Sequence, residues 1–109
     1  MFSGVGGFEL GLERAGVGTT LWQAETDAFC RSVLRRHWPN TTIYQDVRSI
    51  GKEVPGVDVV CAGFPCQDIS VAGKGKGLKG ERSGLFFEIV RVLRLLHAKR
   101  RGSIVVLEN

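Results

Sequence analysis

No stretch of this chain is apolar for long enough to cross a bilayer, which takes about 20 consecutive residues. Its start carries no charged-then-apolar segment of the kind that directs secretion. Cysteine is scarce, and Cys30, Cys61 and Cys66 make an odd set without metal-ligand spacing. Neither a disulfide framework nor a metal centre is expected, and the thiols are expected to be reduced. No internal repeat and no domain linker interrupts the sequence. These absences leave one domain of 109 residues, 43% hydrophobic, large enough for a modest core and expected to be soluble and cytoplasmic.

A Gly-rich turn opens the chain, Phe2-Ser3-Gly4-Val5-Gly6-Gly7-Phe8, and runs into a helix with Phe8, Leu12 and Ala15 on one side and Gly16 as its stop. Glycine lets backbone approach a ligand closely. A dinucleotide fingerprint needs a third glycine, and that position is Glu9, which argues mildly against a pyrophosphate ligand.

Strand and helix then alternate. Residues 19–25 read as a strand. Thr26 reads as the cap of a helix with Phe29, Cys30, Val33 and Leu34 on its inner face, ending before Pro39. Residues 41–44 and 57–61 read as strands, and residues 103–107 as the last one. Between them Leu85, Phe86, Ile89, Val90, Leu93 and Leu96 form the apolar stripe of a helix. This rhythm predicts an α/β fold with a parallel sheet and right-handed crossovers.

A parallel sheet delivers the carboxyl ends of its strands to one edge, where such sheets bind ligands. The strand at 57–61 leads into Gly63-Phe64-Pro65-Cys66-Gln67, and the strand at 103–107 ends in Glu108-Asn109. A thiol and a carboxylic acid would then face one pocket. That pairing suits attack on an electron-poor ring whose nitrogen is protonated as the thiolate adds. Pro65 fixes how the Cys66 thiol is presented, whereas Cys30 and Cys61 read as small buried hydrophobes. Glu25, at the end of the second strand, is placed to accept ribose hydroxyls, and Asp46, after the third, to take an adenine amino group. The plainer alternative for both is a turn or cap acid. Asp58 reads as a structural hydrogen-bonder.

Charge is unevenly placed. Residues 1–73 hold 6 Lys+Arg against 8 Asp+Glu, whereas residues 74–101 hold 9 against 2. The basic run Lys74, Lys76, Lys79 and Arg82 follows the cysteine loop directly. A solvated loop is the bland explanation; adjacency to Cys66 favours a lid that closes on a polyanion.

Together, Phe2-Ser3-Gly4-Val5-Gly6-Gly7-Phe8, Ala62-Gly63-Phe64-Pro65-Cys66-Gln67, Gly84-Leu85-Phe86-Phe87 and Leu107-Glu108-Asn109 resemble the DNA cytosine-5 methyltransferase family, in order and spacing. The resemblance implies a Rossmann-like, S-adenosylmethionine-dependent methyltransferase fold and double-stranded DNA as partner, in a restriction-modification setting, with no metal. Cys66 would add to carbon-6 of a cytosine flipped from the duplex. Glu108 would donate to ring N3 and hold the exocyclic amine, and carbon-5 would take the methyl group. Phe2, Ser3, Gly4, Gly6, Gly7, Glu25, Thr26, Asp46, Val47, Pro65 and Leu85 match the family's cofactor positions, with Thr26 or Val47 packing on the adenine. Asn109 would organise the Glu108 turn, and Ser70, Lys74 and Arg82 would contact phosphates.

The resemblance covers essentially all of this chain but only the amino-terminal half of the family's catalytic domain. It implies a partial sequence or a split-enzyme subunit, with a complementing carboxyl-terminal chain as partner. Most of the family's central first strand is missing, so unpaired backbone and exposed apolar sheet are expected, and the isolated chain is expected to be inactive. Two other readings stay open: an RNA cytosine-5 methyltransferase, which can share Pro-Cys-Gln and Glu-Asn, and a non-catalytic subunit or remnant that binds S-adenosylmethionine or nucleic acid. A nicotinamide oxidoreductase is a distant third.

Overall fold

The computed structural model describes residues 1–64, 84–100 and 102–108. Helix α1 spans Gly7–Arg14, β1 Trp22–Ala24, α2 Ala28–His37, β2 Thr42–Tyr44, β3 Val59–Gly63, α3 Gly84–Lys99 and β4 Ile104–Glu108, with a 3₁₀ turn at Val47–Ser49. The expected alternation of strands and helices is present. The strands pair in parallel as two short ladders, β1 with β2 (Trp22 beside Thr42) and β3 with β4 (Val59 beside Ile104).

Residues 1–3 lie between these ladders. Met1 donates its amine to the Cys61 carbonyl at 2.6 Å and accepts from the Gly63 amide at 3.4 Å, so it pairs with β3. Ser3 donates to the Ala24 carbonyl of β1 at 3.1 Å. The chain changes neighbour at Phe2, whose φ of +55° is left-handed. Such a conformation costs about 1–3 kcal/mol at a non-glycine residue, and the half-buried Phe2 ring packs against the core. The order across the molecule is thus β2, β1, residues 1–3, β3, β4. The expected gap in the sheet is bridged at its carboxyl side by these three residues. Towards the amino ends of β1 and β3 it opens into a cleft of about 400 Å³ lined by Met1, Glu9, Trp22, Val57 and Cys61 among others.

The core lies under α3. Ile89, Val92 and Leu96, at helical spacing, are at most 1% exposed and join Trp22, Ala24, Val60 and Ala62 in one cluster. Truncating one of these large side chains to alanine costs about 2–5 kcal/mol in such a setting. Apolar sheet is exposed on the outer strand β4, where Ile104, Val105 and Leu107 are 63%, 41% and 47% exposed, away from the position at which the gap leads one to expect it.

Local expectations are corrected in three places. The cap of α2 is Asp27, whose side chain accepts from the Cys30 amide at 2.8 Å, while Thr26 is exposed one residue earlier. A cap reaches the amide three residues on, and Asp27 has that spacing to Cys30, an amide well inside the first turn. Phe29 is 71% exposed. At 3.6 residues per turn it lies roughly 140° around the helix from the buried Leu34, so the two cannot share an inner face. The strands are also shorter than the apolar runs: residues 19–21 lie outside β1, and β3 starts at Val59, leaving Asp58 before it. Asp58 does serve structure, accepting from the Ile104 amide through its carbonyl at 2.8 Å and pairing with Arg100 through its carboxylate.

No described helix is long and apolar enough to cross a membrane.

Candidate active site

The carboxyl ends of the strands form one edge. Along it lie Asp46 after β2, Glu25 after β1, the turn Ser3–Gly7, Phe64 after β3, and Glu108 at the end of β4. Each arrives there because a parallel ladder aligns strand ends.

Glu25 ties the strand end to the glycine turn. Its Oε2 accepts from the Gly4 amide at 2.7 Å, and its Oε1 from the Asp27 amide at 2.8 Å. Each oxygen keeps a second acceptor site. The Glu25 and Thr26 carbonyls both receive Nη1 of Arg31, which pins the turn from α2. The glycines divide their work. Gly4 is left-handed, with φ +53°, and a Cβ there or on Gly7 would meet nothing within 4 Å, so both present bare backbone to open space. Gly6, with φ +90°, is bare for another reason: a Cβ would come within 2.5 Å of the Trp38 ring. Ser3 Oγ is buried without a partner among the described residues.

Asp46 closes its own turn. Its Oδ1 accepts from the Arg48 amide at 2.8 Å and from Arg48 Nε at 3.1 Å. The backbone hydrogen bond is the main reason its carboxyl is held below the usual range. Val47 is 3% exposed and belongs to the core cluster, so its side chain is packed inward. Arg91 of α3 fixes this turn from beneath, donating to the carbonyls of Ile50 at 2.7 Å and Val47 at 3.0 Å. Leu85, at the start of α3, is half-buried against the core. Next to it the rings of Phe64 and Phe86 lie 5.7 Å apart.

Glu108 faces Gly63 across the β3–β4 ladder, and the Phe64 amide donates to the Glu108 carbonyl at 3.2 Å. Phe64 is thereby fixed beside the acid. Pro65, Cys66, Ser70, Lys74, Lys76, Lys79, Arg82 and Asn109 lie outside the described residues. Cys30 and Cys61 are both half-buried, and burial pushes both thiols up, away from the thiolate a nucleophile needs. No described group of three or more His, Cys, Asp or Glu side chains is arranged to hold a metal ion.

Three supporting residues were not legible in the sequence. Arg31 reaches back to carbonyls 5 and 6 positions away, and Trp38 and Arg91 act through tertiary contacts up to 44 positions away. Only Asp27 carried a local signal, as a cap residue three positions before a helical amide. The cleft of about 400 Å³ lies at the other end of the strands, between Leu21-Trp22 and residues 57–61, and takes no part in this edge.

One strand edge thus carries an acid on β4, a glycine turn and a carboxylate after β1. The sequence model of the C-5 cytosine-specific DNA methylase family matches residues 1–109, and the chain belongs to that family. It is 38% identical over 109 residues to type II methyltransferase M2.BsuMI of Bacillus subtilis, covering 100% of this chain and 28% of that protein. It is 43% identical over 111 residues to type II methyltransferase M.Bsp6I of a Bacillus species, covering 100% and 34%. For type II methyltransferase M.HhaI of Haemophilus parahaemolyticus the identity is 34% over 109 residues, covering 100% and 32%. The chain thus spans about a third of the length of these relatives.

Proposed function

We propose that this chain is the amino-terminal portion of a cytosine-5 methyltransferase catalytic domain of Rossmann-like fold. It acts on double-stranded DNA in the cytoplasm of a prokaryote or in a phage-infected cell. The observation that carries the reading is the pairing of Gly63 with Glu108, which sets an acid beside the backbone that leads two residues later into Pro65-Cys66.

The residues present fit S-adenosylmethionine. Glu25 keeps acceptor capacity for ribose hydroxyls next to a turn whose Gly4 and Gly7 leave room for a ligand. Phe2, Ser3, Gly6 and Leu85 shape or support this turn and its surroundings, Asp46 and Thr26 stand at the neighbouring strand ends, and Val47 contributes through its backbone. Pro65 completes the set. When bound, the cofactor supplies an electrophilic methyl group.

The chain's own residues do the rest. The Cys66 thiolate forms a bond to carbon-6 of the extruded cytosine. Glu108 delivers a proton to N3 and holds the exocyclic amine, so the electron pair from the carbon-5–carbon-6 double bond becomes available at carbon-5. Once carbon-5 carries the methyl group, loss of its proton to water restores that double bond and expels the Cys66 sulfur as thiolate, and N3 returns its proton to Glu108. Ser70, Lys74 and Arg82 take phosphates, and Asn109 steadies the Glu108 turn. The remaining part of the domain, joined or supplied as a complementing chain, provides base readout.

DNA containing 5-fluorocytosine tests this reading, because fluorine at carbon-5 blocks the final elimination. The complemented enzyme should form an adduct stable to denaturation, and Cys66→Ser should abolish both adduct and methylation. An adduct that persists in that variant, or that maps to Cys30 or Cys61, overturns the assignment.

A further inference from the structure

We propose that Glu13 and Trp38 are positioning residues for the cofactor turn, a clamp that seats Gly6 and so sets where Gly4 presents its backbone. The cofactor half of this proposal rests on the reading above; the clamp itself rests on geometry alone.

Trp38 follows the last turn of α2, where its amide donates to the Leu34 carbonyl at 2.8 Å. Its indole is held at both ends. At one end Nε1 donates to Glu13 Oε1 at 3.0 Å and Oε2 at 3.1 Å. At the other, Cζ3 and Cη2 lie 2.5 Å and 2.6 Å from where a Cβ of Gly6 would stand, with Leu34 Cδ2 at 3.0 Å. An indole is rigid, so a ring fixed at its nitrogen delivers a fixed edge to the turn.

Glu13 is itself anchored. It accepts from the Thr20 amide at 2.9 Å and the Thr20 hydroxyl at 2.6 Å. The hydroxyl is the main reason its carboxyl lies below the usual range. One carboxylate therefore joins α1, the approach to β1 and the exit from α2. The exit is tied back a second time, by the Thr41 hydroxyl donating to the Thr20 carbonyl at 3.3 Å.

The glycine turn is thus gripped from two sides. Glu25 holds it at the strand edge through the Gly4 amide at 2.7 Å. Trp38 backs it at Gly6, whose φ of +90° also marks the start of α1. If the ring edge withdraws, Gly6 loses its seat, and the Gly4 amide shifts relative to Glu25. Trp38 and Glu13 lie behind the turn and contact no proposed substrate or reacting atom, so their effect passes through it. A Gly-rich turn can adopt many conformations, and a backing surface selects one of them.

The test uses the complemented enzyme with Glu13→Gln, which keeps the shape, and Trp38→Phe, which removes Nε1. Amide hydrogen exchange is read at Gly4 and Gly6 against Val60 and Ala62 of β3, alongside S-adenosylmethionine affinity and kcat at saturating cofactor. Both variants should speed exchange at Gly4 and Gly6 about tenfold more than at β3, whose amides report only the change in global stability. Cofactor Kd should rise about tenfold with kcat altered by less than about twofold, as expected for a lost charge-assisted hydrogen bond that acts through binding. If Trp38→Phe does not fold, Glu13→Gln carries the test alone. Unchanged exchange at Gly4 and Gly6, or a rise there no larger than the rise at β3, overturns the clamp. Faster exchange with unaltered cofactor affinity overturns its role in binding. Failure of the unsubstituted protein to bind S-adenosylmethionine sinks the cofactor reading, while exchange still decides the clamp.

Discussion

The Glu108 carboxylate lies over Gly63: a Cβ built on Gly63 would stand 3.0 Å from Glu108 Oε2. The two residues face each other across parallel strands, and no side chain at position 63 competes for the space in which the acid lies. Absence of a side chain on β3 is therefore part of how the acid is placed.

Gly63→Ala tests this directly. The clashing atom is the end of an exposed, flexible side chain, so the carboxylate can yield without disturbing the ladder. Thermal stability should change by less than about 1 kcal/mol, as alanine also relieves the entropic cost of glycine in a strand. Methylation by the complemented enzyme should fall about 10- to 100-fold, the usual penalty for a misplaced catalytic group. Undiminished kcat would show that the acid does not need this space.

Two neighbouring glycines should respond in opposite ways. Gly6→Ala forces a Cβ to within 2.5 Å of Trp38 and strains a left-handed residue, so a stability loss of about 2–4 kcal/mol is expected. Gly7→Ala, at the first residue of α1 with nothing within 4 Å, should keep or raise stability by up to about 1 kcal/mol. Its cost should appear as weaker S-adenosylmethionine binding, read by calorimetry. Equal melting temperatures for the two variants would contradict this division of labour between the glycines.

The alternation of strands and helices, the glycine turn and the β3 and β4 runs that bring Gly63 beside Glu108 were legible in the sequence. They depend on local periodicity and on the one edge that parallel strands share. What escaped was set by tertiary packing. The sequence shows that Gly6 is a glycine but not that an indole 32 positions later requires it. It marks Phe29 as apolar, yet the rotation of α2, set by Leu34, turns it outward. It marks Val47 as a neighbour of Asp46, yet the 3₁₀ turn directs that side chain into the core. The role of residues 1–3 as a bridge between two ladders depends on the left-handed Phe2, which no local propensity predicts.

Arg91 gives a third prediction. Its guanidinium donates to the Val47 and Ile50 carbonyls at 3.0 Å and 2.7 Å, while Glu88 pairs with its Nε at 2.7 Å. Arg91→Met keeps the apolar stem but leaves those carbonyls short of donors. Stability should drop by about 1–3 kcal/mol, and proteolysis or hydrogen exchange should locate the loosening at residues 46–50. Arg91→Lys should rescue only part of it, since one ammonium cannot reproduce the fork. Full rescue by lysine would make the contact simply ionic.

Acid should unfold this protein through a small set of anchored carboxylates. Glu13 is held low chiefly by the Thr20 hydroxyl, Asp27 by the Cys30 amide and Asp46 by the Arg48 amide. Each binds its proton less readily when folded than when unfolded, where the ordinary values are 4.5 for Glu13 and 3.8 for the two aspartates. Their stabilisation is complete above those values and is lost as pH falls through the lower folded ones, because the unfolded chain then takes up more protons. Urea unfolding measured at falling pH should show a steepening loss below about 4.5, the range in which ordinary carboxylates protonate. Glu13→Gln should lower stability at neutral pH and flatten the acid arm, so that the two proteins converge when fully protonated. Parallel curves across the whole acid range would falsify the assignment of Glu13 as an ionised anchor.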